Sequence, residues 1–426
     1  MLKIKLLIIN CLISVPCAFA QNDVVYKIAP FYEFRKGAIS FTFDDGTNSQ
    51  FRIARKILDE ANIKATYYVT TNFMGPDKWQ WMREMVKNGH EIGSHTLNHP
   101  KWLSTIPLDS AQREISKSKA TIESKIPNYK CLTFCYPYGA FNKDIKKIVT
   151  NVGYIGARST KVGYEKSQIN DYNQLRTLFF DGDGFKNTSR LVDSAIVNNL
   201  WLIEGYHGFD NEGLGSCSSV LFRRHLEYVN TKSNELWITT LGDAMKYFRQ
   251  KDAIDVTLLQ SLEDRLSVRI TCSLDTSIYN HPLTFSFLVP CSWNSIYAIT
   301  KQNDTLVSYN STDEFGNKFV VFNSTPNCEI EIISKKNDDL CSFDDIVKIF
   351  PNPFSNRLSL DFNYYQIVDE LKIVDIKGKS VYYTKDVTKT YEIDTSNWER
   401  GLYSLQLKLK NLGSGQLIIK KLIKTN

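Results

Sequence analysis

Two adjacent aspartates, Asp44 and Asp45, follow the apolar run AISFTF at positions 38–43. Like charges this close repel and raise each other's pKa. The pair therefore needs either a solvated turn, which the following Gly46 favours, or a cation between the carboxylates. With a cation, one carboxylate binds the metal and the other accepts a proton from the metal's water.

Two of the six histidines, His95 and His99, are four residues apart in HTLNHP. On one helical turn this spacing places both imidazoles on the same side. Surface histidines are the commoner explanation of such a pair, but imidazole and carboxylate together suit zinc, and a catalytic zinc keeps one position open. A carboxylate of the Asp44–Asp45 pair would complete the ligand set.

Two further segments carry groups suited to acyl chemistry. The run LWLIEGYH ends in His207, which is either a satisfied core residue or, beside a metal, a general acid for a leaving group. In FCYPYG, Pro137 and Gly139 impose a tight turn, and the Tyr138 N–H is suited to hold an oxyanion. The rings of Tyr136 and Tyr138 suit stacking on a sugar. An ordinary strand-to-helix loop is the alternative.

All four segments end predicted strands within an alternation of strands and helices from about residue 37 to 252. The stretch SQFRIARKILDEAN, for example, has apolar residues at helical spacing after the strand AISFTF. Such alternation indicates a largely parallel sheet or barrel, whose chemistry lies at the carboxyl ends of its strands. The predicted fold class is therefore α/β, with the four segments at one rim.

The pattern changes to alternating apolar and polar residues after the helical region. We expect a β-sandwich accessory domain at 254–336, a polar linker at 337–344 and a second all-β domain at 345–426. Exposed aromatics such as Trp293 are suited to bind carbohydrate, but packing against the barrel is the favoured role of the accessory domain.

Residues 1–20 have a basic start, a short apolar run and the small-residue pattern Ala18-Phe19-Ala20, which predict a secretory signal peptide. No later stretch is long and apolar enough to span a membrane. The net charge of +6 is spread along the chain without a basic run, which argues against nucleic acid as a partner. Cys131 and Cys135 lack zinc-site spacing, so we expect burial or a disulfide.

The four segments, in this order, resemble the motifs of the polysaccharide deacetylase family (carbohydrate esterase family 4). They read TFDDG at 42–46, HTLNHP at 95–100, FCYPYG at 134–139 and LIEGYH at 202–207. The resemblance implies a distorted (β/α) barrel over residues 21–253 and removal of acetyl groups from N-acetylated or O-acetylated sugars. It favours zinc as the cofactor, with Co²⁺, Ni²⁺ or Mn²⁺ able to occupy the same ligands.

The resemblance also implies roles for individual residues. Carried over by motif, they are a base (Asp44), three metal ligands (Asp45, His95, His99), an oxyanion donor (Tyr138), an acid (His207) and substrate contacts (Tyr136, Tyr138, Leu202). The family often has an arginine that orients the base, and Cys135 stands in its place. Arg158 and Arg176 are the candidate replacements, and we predict that Arg176 restores the charge next to Asp44.

The last block, with IFPNPFSNRLSLDF and the basic end KKLIKTN, resembles the C-terminal sorting domain of type IX secretion in Bacteroidetes. We therefore expect a secreted or cell-surface monomer, exported across the outer membrane, that deacetylates a polysaccharide with a metal-bound water activated by Asp44. The alternative is a surface glycan-binding protein on the same fold that has little or no activity, which Cys135 and the lack of the family's Asp-Trp pair support.

Overall fold

The structure is a computed structural model of the 426-residue chain. It describes residues 24–425 apart from 181–187, 214, 263, 291–292, 294, 301–304, 314–316, 336–346, 363–367 and 410–416. The predicted signal peptide and the predicted linker at 337–344 lie outside the described residues.

Most strands between residues 37 and 238 are short and lie in one mixed, mostly parallel sheet. After β1 (Tyr26–Ile28), they are β2 (Gly37–Phe43), β3 (Thr66–Val69), β4 (Glu91–Ser94), β5 (Thr133–Cys135), β6 (Gly156–Arg158), β7 (Glu165–Lys166), β8 (Leu178–Phe179), β9 (Leu200–Tyr206) and β10 (Leu236–Ile238). Every residue of β2 is buried, as the unbroken β-branched and aromatic run predicts.

The sheet runs in the order β6-β5-β4-β3-β2-β9-β7, with β10 paired to the start of β2 and β8 to β9. Beyond β6, backbone bonds join Ala157 to Tyr172 and Leu175, and Ser159 to Leu175. This segment leads directly into β8, which pairs in parallel with β9. The two ends of the sheet are thereby connected into an irregular barrel, with the carboxyl ends of β2 to β5 and β9 at one rim.

Among the described residues, seven α-helices flank the strands. They are α1 (Arg55–Glu60), α2 (Pro76–Lys87), α3 (Leu108–Lys125), α4 (Lys143–Asn151), α5 (Thr188–Val197), α6 (Ser219–Thr231) and α7 (Leu241–Asp252). In α3 the buried residues Ala111, Ile115, Ser118 and Ile122 recur every three or four positions, so one face of the helix packs on the sheet. Asn142 caps α4 by accepting a hydrogen bond from the Ile145 N–H.

The described part of the following block is all β, and its sheets include the strand that precedes the barrel. Its strands are β11 (Ile254–Ser261), β12 (Arg265–Cys272), β13 (Leu283–Val289), β14 (Ser295–Thr300), β15 (Ser308–Thr312), β16 (Lys318–Ser324) and β17 (Cys328–Lys335). They form two four-stranded sheets, β1-β13-β16-β15 and β11-β12-β17-β14. We call these eight strands the β domain. That its sheets form a sandwich stays a prediction.

The β domain packs against the amino ends of the barrel strands, away from the rim of the motifs. One buried cluster contains Ala38 at the start of β2 and Phe248 of α7 together with Phe285 and Phe287 of β13. Trp293 is only 3% exposed and belongs to this cluster, so it offers no ring to a glycan. This contact agrees with packing against the barrel, the role that the sequence favours for the accessory domain.

The described residues of the C-terminal block form strands and loops without a helix, as predicted. Its strands are β18 (Val347–Phe350), β19 (Arg357–Phe362), β20 (Val368–Asp375), β21 (Ser380–Thr384), β22 (Thr390–Asp394), β23 (Gly401–Leu409) and β24 (Leu417–Lys424). They form sheets of order β18-β19-β22 and β21-β20-β23-β24. Among the described residues, no helix is long and apolar enough to cross a membrane.

Candidate active site

Three predicted metal ligands, Asp45, His95 and His99, converge at the barrel rim. The Asp45 Oδ1 lies 3.2 Å from the His99 Nε2 and 3.5 Å from the His95 Nε2. The two imidazole Nε2 atoms are 3.2 Å apart. These three donor atoms are close enough to one another to share a single ion. One carboxylate and two imidazoles are a donor set typical of catalytic zinc.

The protonation of this group also suits a cation. The His95 Nδ1 faces the Cys135 carbonyl oxygen at 2.8 Å, so it carries the ring proton and leaves the Nε2 lone pair directed at the other donors. Burial lowers the pKa of His95 to about 4, although Asp44 and Asp45 oppose that shift. Burial raises the pKa of Asp45, but the hydrogen bond from His99 and the nearby His95 lower it to about 2. The residues present fit a divalent metal.

The two histidines do not lie on a helical turn, as their spacing suggested. His95 follows β4, and the segment after it is irregular. Thr96 and His99 both have left-handed backbone, with φ of 69° and 57°, and the Thr96 Oγ1 accepts the His99 N–H at 3.0 Å. Asp45 is left-handed too, with φ of 75°. Non-glycine residues rarely adopt this conformation, which is found at strained functional sites.

Asp44 lies beside the three donors but is engaged by an arginine. Its side chain is 3% exposed and accepts a short hydrogen bond from the Nη2 of Arg158, which is fully buried. Burial raises the pKa of Asp44, but the Arg158 guanidinium outweighs it together with His95 and His207, so the carboxyl stays ionised. The Cys135 Sγ lies 3.7 Å from the Asp44 Oδ2 and 2.9 Å from the Arg158 Nη2.

The prediction that Arg176 contacts Asp44 is wrong. The Arg176 side chain is 53% exposed, and its Nη1 lies 3.7 Å from the Glu165 carboxylate and 3.4 Å from the Tyr164 carbonyl oxygen. Arg158, the other candidate, is the arginine that contacts Asp44. It stands on β6 as the register partner of Cys135 on β5. The register of two parallel strands is the signal that identifies it, and that register cannot be derived from residue spacing alone.

Gln50 is a site residue that the sequence analysis missed. Its fully buried amide Nε2 donates to the Asp44 carbonyl oxygen and, at 2.6 Å, to the His207 carbonyl oxygen. One side chain thus ties the carboxyl end of β2 to that of β9. His207 itself accepts one of these hydrogen bonds through its backbone carbonyl. Its ring stacks on Phe179 with centroids 5.3 Å apart. A glutamine at the start of a helical pattern carries no sequence signal for this role.

Tyr138 occupies the tight turn after β5. Its backbone φ is 54°, and its ring is 61% exposed, with its centroid 4.8 Å from that of His99. Gly139 follows with φ of 64°, and a Cβ at that position would lie 2.0 Å from the Thr160 Oγ1. The turn is therefore closed to any residue larger than glycine, and it places the Tyr138 ring against His99, one of the predicted metal ligands.

Comparison with known families agrees with this geometry. Residues 32–157 match the polysaccharide deacetylase family, and residues 348–425 match the secretion system C-terminal sorting domain. The chain carries a polysaccharide deacetylase domain and a sorting domain. The three predicted metal ligands and Asp44 lie within the matched residues 32–157, whereas His207 lies beyond them.

Individual relatives cover the chain unevenly. A chitooligosaccharide deacetylase of Sinorhizobium fredii is 30% identical over 117 residues, which are 27% of this chain and 54% of that protein. A gellan lyase of a Bacillus species is 23% identical over 326 residues, 70% of this chain but 13% of that protein. A solved putative polysaccharide deacetylase from Mycobacterium smegmatis has 14% identity and a TM-score of 0.43, covering 53% of this chain and 96% of that one. The chain spans about half or less of the length of these two curated relatives.

Two of the predicted substrate contacts of the deacetylase domain are wrong. Tyr136 is 1% exposed, and its hydroxyl donates to the Asn173 carbonyl oxygen at 3.0 Å. Leu202 is fully buried in the core and pairs with Ile39 near the amino end of β9. It lies five residues before the strand end that carries His207. Of the three predicted contacts, Tyr138 alone is exposed at the rim.

Cys131, which precedes β5, and Cys135, at the end of β5, are both buried free thiols. The expectation of burial is confirmed, and the alternative of a disulfide is not met. For Cys135, burial raises the pKa of the thiol well above its usual range despite the adjacent Arg158. The protonated thiol can donate its hydrogen to Asp44 while its sulfur accepts from Arg158.

Proposed function

We propose that the deacetylase domain is a metal-dependent hydrolase that removes N-acetyl or O-acetyl groups from a polysaccharide. The observation that carries this proposal is the pairing of two carboxylates with separate partners. Asp45 faces two imidazoles that fit a metal, and Asp44 faces a buried guanidinium that keeps it ionised. A site that only bound glycan would gain nothing from holding a buried, ionised carboxylate next to a metal-binding group.

Asp45, His95 and His99 would hold the cation, for which zinc is our first choice and Co²⁺, Ni²⁺ or Mn²⁺ the alternatives. A divalent cation there would supply Lewis-acid chemistry, polarising the acetyl carbonyl and making water more acidic.

Asp44 is the proposed general base. A water molecule adds to the acetyl carbonyl carbon, and one of its protons passes to the Asp44 carboxylate. The Tyr138 N–H is the proposed donor to the oxygen that becomes negative, and the left-handed turn at residues 138–139 holds it at the rim. Arg158 and Cys135 would keep the Asp44 carboxylate oriented throughout, because both contact its oxygens.

His207 is the proposed general acid. Its imidazole gives a proton to the sugar nitrogen or oxygen as the bond to the acetyl carbon breaks, which releases acetate and the free amine or hydroxyl. His207 directly follows β9, the parallel neighbour of β2, so it lies at the same rim as Asp44 and Asp45. Gln50 would set the spacing between base and acid through its bonds to the Asp44 and His207 carbonyl oxygens.

Acetate release from a panel of acetylated glycans tests this proposal. The metal is removed with a chelator and zinc is added back, for the unmodified protein and for Asp44→Asn and His207→Ala. The matched control is Asp171→Asn, because the half-exposed Asp171 carboxylate bonds Lys146 and the Asn173 N–H and contacts none of the proposed site residues. We expect zinc-dependent release that both site variants lose by about 10²-fold or more and that the control keeps.

The second candidate function is a glycan-binding protein without activity, which Cys135 at the family's arginine position favours. Arg158 weakens this candidate, since the arginine contact is supplied from β6 instead. Retained glycan binding without acetate release from any substrate, despite bound metal, would establish it.

We further propose that the protein acts outside the cell. The sorting domain would direct it across the outer membrane through a secretion system and would then be removed. That the exported protein is a monomer stays a prediction. Mass spectrometry of the culture supernatant tests the export, since peptides from the deacetylase domain without peptides from 348–425 are expected there.

A further inference from the structure

Three aromatic rings stand out on the surface of the deacetylase domain. Phe73, Trp102 and Tyr138 are 60%, 58% and 61% exposed. Among the described residues from 37 to 253, no other aromatic ring is as exposed. Scattered apolar side chains are normal on a protein surface, but three large rings at one end of a barrel are not a scattered set.

The three rings follow three neighbouring strands. Phe73 lies in the loop after β3, Trp102 in the loop after β4 and Tyr138 in the loop after β5. These strands are adjacent in the sheet order. Successive strands are about 4.8 Å apart, so the loops present one ring each in a row along the same rim as the metal-binding group.

Hydrogen bonds between the loops hold this row together. The Asn72 N–H donates to the Leu97 carbonyl oxygen at 3.0 Å, and the Asn72 side chain donates to the Asn98 Oδ1 at 2.5 Å. The Asn142 side chain donates to the Ser104 carbonyl oxygen at 2.9 Å. The loops after β3 and β5 are thus both hydrogen-bonded to the loop after β4. The surface that carries the three rings is therefore preorganised for a ligand.

The row is continuous with the metal-binding group. The Tyr138 ring lies against the His99 ring, and Trp102 follows His99 by three residues. Asn72 and Asn98, whose exposed amides are bonded to each other, directly precede Phe73 and His99 in the chain, and the Lys101 Nζ is 5.3 Å from the centre of the Trp102 ring. Flat rings alternating with short polar side chains match a sugar chain, which has C–H faces to stack and hydroxyl groups to bond.

We propose that Phe73, Trp102 and Tyr138 form a platform for consecutive sugars on either side of the one that is deacetylated. The substrate is then a chain of at least three sugars, acted on at internal positions, and a single sugar is a poor substrate. This inference rests on the proposed deacetylase function, which it extends from the reacting group to the neighbouring sugars.

Rates on substrates of increasing length test the platform. The substrates are N-acetylglucosamine oligomers of one to six sugars, acetylated xylo-oligosaccharides of the same lengths, and p-nitrophenyl acetate as a small ester without sugar. The variants are Trp102→Ala, Phe73→Ala and their combination. The controls are Val197→Ala, at an exposed apolar residue where α5 ends, and Tyr383→Ala, at a half-exposed ring of the C-terminal block.

We expect kcat/KM of the unmodified protein to rise with length on the oligomer series that it hydrolyses. Each rim variant should lose roughly 2- to 10-fold on the six-sugar substrate and the combination more. Rates on the small ester should stay unchanged in all of them. Both control variants should follow the unmodified protein on every substrate.

Equal rates on all lengths, or equal losses on the six-sugar substrate and the small ester, would overturn the platform and leave the deacetylase proposal standing. Failure to hydrolyse any substrate would instead overturn the proposed function. In that case, calorimetric titration of the metal-loaded protein with the six-sugar substrates decides the platform. Weaker binding by Trp102→Ala than by Val197→Ala supports it, and equal binding or none overturns it.

Discussion

Cys135 on β5 and Arg158 on β6 are register partners on parallel strands, and the Arg158 Nη2 lies 2.9 Å from the Cys135 Sγ. Both side chains contact the Asp44 carboxylate. The guanidinium that the family supplies from the third motif therefore comes from the neighbouring strand in this chain. The thiol fills the smaller space that remains beside it.

Replacing Arg158 should be far more damaging than replacing Arg176. Arg158→Ala leaves the buried Asp44 charge without its partner, which should destabilise the protein by about 3–5 kcal/mol and abolish acetate release. Arg176→Ala removes an exposed ion pair and should change stability by less than about 0.5 kcal/mol. Urea unfolding and acetate release measure both effects, and an active, stable Arg158→Ala protein would contradict the assignment.

Exchanging the register partners should restore part of what the single changes remove. In the double variant Cys135→Arg with Arg158→Cys, the guanidinium approaches Asp44 from β5, and the thiol takes the β6 position. We expect its stability and activity to exceed those of Arg158→Ala. If the double variant is no more stable and no more active than Arg158→Ala, a guanidinium beside Asp44 is not what matters. Arg158 would then contribute through its other contacts on β6.

Metal should stabilise the fold only when the three-residue group is complete. Zinc at about 100 times its dissociation constant should raise the free energy of unfolding by about 2.7 kcal/mol, because the donors meet only in the folded chain. His99→Ala removes one donor and should lose this gain, as read from the melting temperature with and without zinc. Lys101→Ala, on the same loop but outside the donor group, is the control. A zinc-dependent shift that survives in His99→Ala would place the metal elsewhere.

The turn that carries Tyr138 should not tolerate a side chain at Gly139. Gly139→Ala adds a Cβ 2.0 Å from the Thr160 Oγ1 and forces alanine into a left-handed conformation. We expect a loss of stability above about 1 kcal/mol and a fall in kcat as the Tyr138 N–H moves. Gly153→Ala is the matched control, because its φ is 90° and nothing lies within 4 Å of the added atom. Equal effects of the two variants on kcat would show that the position of the turn is unimportant.

His90 should make the metal-free protein less stable in mild acid. Its Nδ1 accepts the Ala65 N–H at 3.1 Å, and its Nε2 donates to Asp59 at 3.0 Å, so the folded ring is neutral. Burial lowers the pKa of His90, although Asp59 opposes the shift. The unfolded chain, with a pKa near 6.5, therefore binds a proton that the folded chain does not. Stability should fall as the pH drops below about 6.5 and onward through the lower, folded pKa.

His90→Asn tests this without losing the acceptor for the Ala65 N–H. Urea unfolding of metal-free protein at pH 7.5, 6 and 5 should show a shallower decline for the variant than for the unmodified chain. Parallel declines would assign the acid sensitivity to other groups.

The sequence predicts those parts of the fold and site that depend on short-range patterns. The buried strand before Asp44 follows from its composition, and the convergence of Asp45, His95 and His99 follows from motifs that end parallel strands at one rim of the sheet. The backbone path between the two histidines does not, because the left-handed residues Thr96 and His99 replace the expected helical turn. Left-handed backbone at a non-glycine residue is imposed by tertiary contacts and leaves no mark in the composition.

The sequence-based predictions are wrong where contacts between residues far apart in the chain determine the position of a side chain. Arg158 reaches Asp44 through strand register across 114 residues, which spacing along the chain cannot supply. Leu202 belongs to the same apolar run as His207, yet it lies in the core near the other end of the strand. The joining of β1 to β13 pairs Tyr26 with Phe287, and no local signal marks a strand of three residues for a partner so far away.

That pairing gives the molecule a mechanical property. The chain enters the barrel from β1 and leaves it into β11, and both strands are hydrogen-bonded into the β domain. Both ends of the barrel segment are therefore held by antiparallel ladders, so the barrel and the β domain separate only if one of these ladders breaks. The β domain thus anchors the barrel at both its entry and its exit.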